Sequence, residues 1–182
     1  LLLSSNLKVI GRAGIGVDNI DIDSATSKGI IVMNTPHGNS ITTAEHTIAM
    51  IMSLARQIPD ANVSTKKGKW EKSKFVGTEI TGKKLGLIGC GNIGSIVVDR
   101  AKGLKMNVQV YDPFLTDDKS KELGIEKVSF ENLLGSSDII SIHTPLTDST
   151  RNIINSDNIY SIKKGAWIIN CARAVSYTHL TL

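Results

Sequence analysis

Cysteine is nearly absent: Cys90 and Cys171 are the two in 182 residues. Neither belongs to a C-x-x-C pair and no histidine cluster accompanies them, which excludes a disulfide-built scaffold and a cysteine-ligated metal centre. Both are expected to be buried thiols in a reducing compartment, and the protein is expected in the cytoplasm. Long apolar runs are missing too. The stretch 41–54 is interrupted by Glu45 and His46, and nothing reaches the roughly 18 residues that span a bilayer. No membrane role is expected. Aromatic residues make up only 4% of the chain and are sparse among the scattered lysines Lys66, Lys67, Lys72, Lys83, Lys84, Lys163 and Lys164. The net charge of +4 therefore reads as a solvated surface, mildly attractive to an anionic ligand, rather than a nucleic-acid stripe. An initiator Met is missing as well, and Leu1-Leu2-Leu3 carries no start signal. The chain is expected to be an internal piece of a longer protein.

What is present is a soluble composition, 41% hydrophobic and 21% charged, enough for one good-sized domain or for one domain with part of another. Its informative stretch is Lys84-Leu85-Gly86-Leu87-Ile88-Gly89-Cys90-Gly91-Asn92-Ile93-Gly94, followed by Tyr111-Asp112. A short apolar strand, a three-glycine turn, a helix with Ile93, Val97, Ala101 and Leu104 on one face, and a strand ending in an acid occur in that order, the context a dinucleotide-binding fingerprint requires. Gly89 is expected to turn the chain sharply out of the strand, Gly91 to let backbone approach a pyrophosphate, and Gly94 to let helix and strand pack closely. Helix N-H groups then face the phosphates. Asp112, at the tip of the next strand, is expected to accept hydrogen bonds from the adenosine ribose and to repel a 2′-phosphate, selecting NAD over NADP.

The remainder reads as alternating strands and helices, hence a doubly wound parallel α/β sheet. Residues 7–10 form a strand running into the glycine-rich loop Gly11-Arg12-Ala13-Gly14-Ile15-Gly16, 18–28 a helix stopped by Gly29, and 30–33 a buried strand. This is the tail of a second α/β unit, residues 1–38, and the polar segment 34–40 is the domain boundary. A long helix then carries Ala44, Ile48, Ile51, Met52 and Ala55, capped by Ser40 or Thr42. From Pro59 to Thr81 the chain is polar and basic. There Trp70 and Phe75 either anchor an arm on a partner subunit or cover the domain's own core. Strands are expected at 107–111, 127–128, 138–142 and 166–170, helices at 119–123 and 130–134, and a helical turn region at 156–162.

Arg12 to Asp21, Met33-Asn34-Thr35-Pro36, Gly89 to Gly94, His143-Thr144-Pro145-Leu146 and Asn170-Cys171-Ala172-Arg173 stand in the order they take in D-2-hydroxyacid dehydrogenases, and the chain resembles that family from residue 7 to residue 173. Gly11-Arg12-Ala13-Gly14, Asn34 to Ser40 and Gly68-Lys69-Trp70 are most similar to its members that oxidise 3-phosphoglycerate. The resemblance implies NAD as cofactor, a small anionic 2-hydroxy acid as substrate, a homodimer or higher homo-oligomer, and an NAD-binding domain over residues 39–174. It places Arg173 on the substrate carboxylate and reacting oxygen. Arg12, Ala13, Gly14, Asn39 and Ser40 would lie at the substrate's carboxylate or phosphate. Ile15, Gly89, Gly91, Asn92, Ile93, Gly94, Asp112, His143, Thr144, Pro145, Cys171, Ala172 and Arg173 would line the cofactor, although His143 by itself reads equally as a satisfied loop histidine.

The family's catalytic Glu and His come from segments after the Asn-Cys-Ala-Arg motif and have no counterpart here. His37 and His46 are poor acid–base candidates, and His179 lies in a tail, 175–182, that matches nothing in the family. The chain on its own is expected to be inactive. Rival readings are a glyoxylate or hydroxypyruvate reductase, an NAD-sensing corepressor, and a dinucleotide-binding module without chemistry.

Overall fold

A computed structural model of the chain describes residues 6–36 and 38–173. His37, the tail at 175–182 with His179, and Ala174 lie outside the described residues. The chain divides into two compact units after Ser40.

In the first unit, β1 (Val9–Arg12) and β2 (Ile31–Asn34) pair in parallel, with Val9 opposite Ile31 and Arg12 opposite Asn34. The crossover between them carries α1 (Ile22–Ser27). The Asp21 side chain starts this helix by accepting the Ser24 N–H at 2.9 Å. Gly29, at φ +66°, ends it in the left-handed conformation a C-terminal glycine supplies. Two expectations need correction. The strand runs on through Gly11 and Arg12, so Arg12 closes a strand rather than sitting in the loop. And β2 is not buried: Ile31 and Met33 are 60% and 59% exposed, because β1 is its one pairing partner among the described residues. Only Ile30 just before it is buried.

The second unit is the doubly wound sheet. Five parallel strands stand in the order β5-β4-β3-β6-β7, comprising β3 (Lys84–Ile88), β4 (Asn107–Tyr111), β5 (Glu126–Lys127), β6 (Ile139–Ile142) and β7 (Trp167–Asn170). Strands buried on both faces read as continuous apolar runs, and the two cores separate by strand alternation. Leu85, Leu87 and Ile139 face one way, with Val97, Val98 and Ala101 of α4 (Asn92–Gly103) and Ala44, Ile51 and Ala55 of α2 (Ser40–Ala55). Ile88, Ile140 and Ile142 face the other, against Leu133 and Leu134 of α6 (Phe130–Ser136). Gly86 lets α6 approach; a Cβ there would lie 2.8 Å from Leu133 Cγ.

The short helices begin where a hydroxyl caps them. Thr116 accepts the Lys119 N–H at the head of α5 (Asp117–Leu123) and Ser129 that of Asn132 at the head of α6. The expected cap of α2 does not form, since Ser40 is the helix's first residue and Thr42 lies inside it. The region after Pro59 holds an unexpected helix, α3 (Ile58–Lys66), started by the proline in its first turn. Trp70 is 83% exposed and covers no core of this chain, whereas Phe75 is partly buried.

Candidate functional site at the carboxyl edge of the sheet

Strand register collects the candidate residues. Ile88 stands opposite both Tyr111 and Ile142, and Ile142 opposite Asn170. The residues that follow, Gly89, Asp112, His143 and Cys171, therefore leave the sheet along one edge, at the carboxyl ends of four parallel strands. The chain winds outward from β3 in one direction through β4 and β5, and in the other through β6 and β7. Such a reversal opens a crevice beside the central strand, the place where open α/β sheets bind ligands.

The glycine turn fills the centre of that edge. Gly89 takes φ +94°, and a Cβ on it would press within 3.0 Å of the His143 carbonyl. A Cβ on Gly94 would stand 2.5 Å from the Gly89 oxygen, so α4 lies directly against the turn. Gly91 is different: its Cβ position has no protein atom within 4 Å, and it begins α4 without a side-chain cap. Open space in front of an uncapped helix start is what a phosphate group requires. Asn92 is exposed at the first turn. The Ile93, Cys90 and Cys171 side chains instead pack on the core, and Ala172 packs on the opposite cluster. All four are partly buried.

Asp112 is partly buried and its carboxylate is engaged at both ends, Oδ2 accepting the Cys90 N–H at 2.8 Å and Oδ1 the Phe114 N–H at 2.8 Å. A carboxylate has about four lone-pair sites, which leaves capacity for ribose hydroxyls. Burial, and secondarily the Asp112 charge, push the Cys90 thiol up to about 11. It is therefore a neutral thiol near pH 7, and not a nucleophile.

His143 is held at about 4 by burial and lies 2.8 Å from Ser141 Oγ through Nε2. It is neutral near pH 7, with one ring nitrogen engaged by Ser141. The Thr144 hydroxyl beside it is buried with no hydrogen-bond partner, and its methyl lies 3.1 Å from the Gly89 Cβ position. A buried orphan hydroxyl costs free energy that a ligand can recover. Pro145 is exposed, its carbonyl accepting from Thr150.

At the end of β7 a residue unassigned from sequence organises the loop. Asn170 Oδ1 accepts the Ala172 N–H at 2.9 Å while Nδ2 donates to the Arg173 carbonyl at 2.8 Å. This closed asparagine turn fixes the backbone of partly buried Arg173, whose Nη1 reaches the Ala172 carbonyl at 3.3 Å. The only prior sign of Asn170 was its place in the motif.

In the first unit the loop 13–16 is similarly pinned by residues that drew no assignment. Gly14 N–H donates to Thr35 Oγ1 at 2.8 Å, Thr35 N–H to the Gly14 carbonyl at 3.1 Å, and Asn34 Nδ2 to the Ile15 carbonyl at 2.8 Å. The Arg12 guanidinium folds over Gly14, donating to the Ala13 carbonyl at 3.0 Å and to Asn19 at 3.4 Å. Asn39 is exposed, and the Ser40 hydroxyl is buried with no hydrogen-bond partner. Among the described residues no cluster of His, Cys, Asp or Glu can hold a metal ion.

Residues 48–180 match the family model described as D-isomer specific 2-hydroxyacid dehydrogenase, NAD binding domain. The chain is similar to D-3-phosphoglycerate dehydrogenase of Bacillus subtilis, 53% identical over 169 residues that are 93% of this chain and 32% of that protein. The same enzyme of Archaeoglobus fulgidus is 49% identical over 170 residues, again 93% and 32%. Among solved structures, D-lactate dehydrogenase from Aquifex aeolicus complexed with NAD and lactic acid superposes with a TM-score of 0.86 at 36% identity, covering 95% of this chain and 52% of that one. The chain thus spans about a third of the length of the curated relatives it matches.

Proposed function

We propose, for a chain that belongs to the family of D-isomer specific 2-hydroxyacid dehydrogenases, that the protein carrying it oxidises 3-phosphoglycerate to 3-phosphohydroxypyruvate with NAD, the reaction that opens serine synthesis. The observation that carries this reading is the alignment of the glycine turn, Asp112, Thr144 and the Arg173 loop along one strand edge. The residues fit NAD: the open Gly91 position and uncapped α4 suit its diphosphate, Asp112 its ribose, and the orphan Thr144 hydroxyl its cofactor-side wall. Bound there, NAD supplies the hydride acceptor.

Arg173 holds the substrate carboxylate and polarises the reacting oxygen, a task for a planar, permanently charged fork, and the Asn170 turn sets its position. The phosphorylated substrate is supported by the identity to two phosphoglycerate dehydrogenases. His143 is neutral and committed to Ser141, and His46 is exposed on α2; neither is placed to take the hydroxyl proton. The 182-residue chain alone is therefore expected to bind NAD without turnover.

The protein works as a homo-oligomer; exposed Met50, Leu54, Ile58, Val63, Trp70 and Val76 support self-association. Two free cysteines are in keeping with a cytoplasmic enzyme. No described helix is long and apolar enough to cross a membrane.

The test is NADH formation by the intact protein with 3-phosphoglycerate, D-glycerate, D-lactate and glycolate. The phosphorylated acid is expected to lead in kcat/KM by about tenfold or more, the scale of one charge-assisted contact. Equal or faster oxidation of an unphosphorylated acid would overturn the assignment.

A further inference from the structure

We propose that Asp112 is the positioning residue of the phosphate-binding turn, and that one carboxylate thereby ties ribose selection to phosphate binding. The inference rests on reading the strand edge as the NAD site. The last backbone bond between β3 and β4 beyond their strand residues runs from Gly89 N–H to the Tyr111 carbonyl at 2.9 Å. One residue further the two chains part, the first into the turn and the second toward Leu115. At that point the Cys90 N–H finds no backbone acceptor on β4 and uses Asp112 Oδ2 instead. The side chain adds a rung to the ladder after the strands have ended.

Its other oxygen is tied by the Phe114 N–H, and the Asp112 carbonyl accepts from Leu115 at 3.2 Å. The carboxylate is thus oriented by its own local turn before it reaches across. Nothing in the turn replaces it. Gly89 and Gly91 have no side chains, Gly91 caps α4 without a side-chain bond, and the Cys90 side chain points into the core. Holding Cys90 at its N–H fixes the plane of the Gly89–Cys90 peptide, and with it the path by which the turn delivers Gly91 to the start of α4.

Removing Asp112 therefore has two effects of opposite sign on a diphosphate ligand. Loss of a nearby negative charge alone tightens binding; loss of the pin weakens it. The decisive probe is 2′,3′-dideoxyadenosine 5′-diphosphate, which has no ribose hydroxyl to offer Asp112. Asp112→Ser, whose oxygen is too short to reach Cys90, is expected to bind this probe about tenfold more weakly than the wild-type chain, the worth of one charge-assisted hydrogen bond. Asp112→Asn, which retains an acceptor oxygen, is expected to lose less.

Amide exchange of Cys90 in the unliganded chain is the second readout. It should accelerate in Asp112→Ser by about tenfold while that of Val110, inside β4, does not change. Unchanged or tighter probe binding by Asp112→Ser, or an unchanged Cys90 exchange rate, would overturn the pin. Failure of the wild-type chain to bind either NAD or the probe would instead sink the reading of the edge as an NAD site, while Cys90 exchange would still decide whether Asp112 holds the turn.

Discussion

Gly91→Ala is expected to keep the fold and lose the nucleotide, whereas Gly94→Ala loses part of both. At Gly91 the backbone has φ −73°, which alanine adopts freely, and its Cβ would touch no protein atom. The lost preference for glycine over alanine at a helix start costs up to about 1 kcal/mol. Reduced freedom of the unfolded chain returns about 0.4–1 kcal/mol. Stability is unchanged to within about 1 kcal/mol, so the methyl group acts only on what enters the open space, and NAD affinity falls by about tenfold or more.

At Gly94 the balance differs. Alanine favours the helix by about 1 kcal/mol, but its Cβ lies 2.5 Å from the backbone oxygen of Gly89, which no rotamer change can relieve. Strand and helix must separate, at about 1–3 kcal/mol, and the turn shifts with them. Urea unfolding and NADH titration of the two variants should dissociate stability from binding at 91 and couple them at 94. Wild-type affinity in Gly91→Ala would mean that the phosphates pass elsewhere.

Arg173→Ala, made in the intact protein, is expected to lower kcat/KM for the hydroxy acid by two to three orders of magnitude, corresponding to about 3–4 kcal/mol. A carboxylate brought to the site would have lost its charged, two-pronged partner. Arg173→Lys should recover only part of this, since an ammonium offers a point charge without the fork. NAD affinity should move by no more than about threefold, because the diphosphate and ribose are assigned to the glycine turn and Asp112. Steady-state kinetics beside NADH titration separate the two effects. Activity within tenfold of wild type would remove Arg173 from the chemistry.

The second unit was legible because its physics is local. Strands covered on both faces tend to be apolar runs, so β3, β6 and β7 stand out, while β4 shows through Val108, Val110 and Tyr111 around a buried Gln109, and three glycines with one acid at the right separation mark the turn between β3 and α4. The helix α3 was hidden because its single turn of apolar residues, Ile58, Ala61 and Val63, barely departs from a polar loop. β2 misled for the opposite reason. Ile30 to Met33 has the composition of a covered strand, yet its ladder among the described residues consists of β1 alone.

Within the candidate site, residue types pointed to the residues assigned to the ligand but not to those that brace the loops. Asn34, Thr35 and Asn170 act through side-chain bonds to backbone whose partners are set only by the folded loop. The grip of Asp112 on the Cys90 N–H likewise depends on the exact way two parallel strands diverge.

NADH and NADPH titrated into the 182-residue chain, followed by nucleotide fluorescence, test the central claim most directly. With the Asp112 carboxylate at the tip of β4, NADH is expected to bind at least about tenfold tighter than NADPH, the cost of setting a 2′-phosphate beside a fixed negative charge. Equal affinities, or tighter binding of NADPH, would contradict the account.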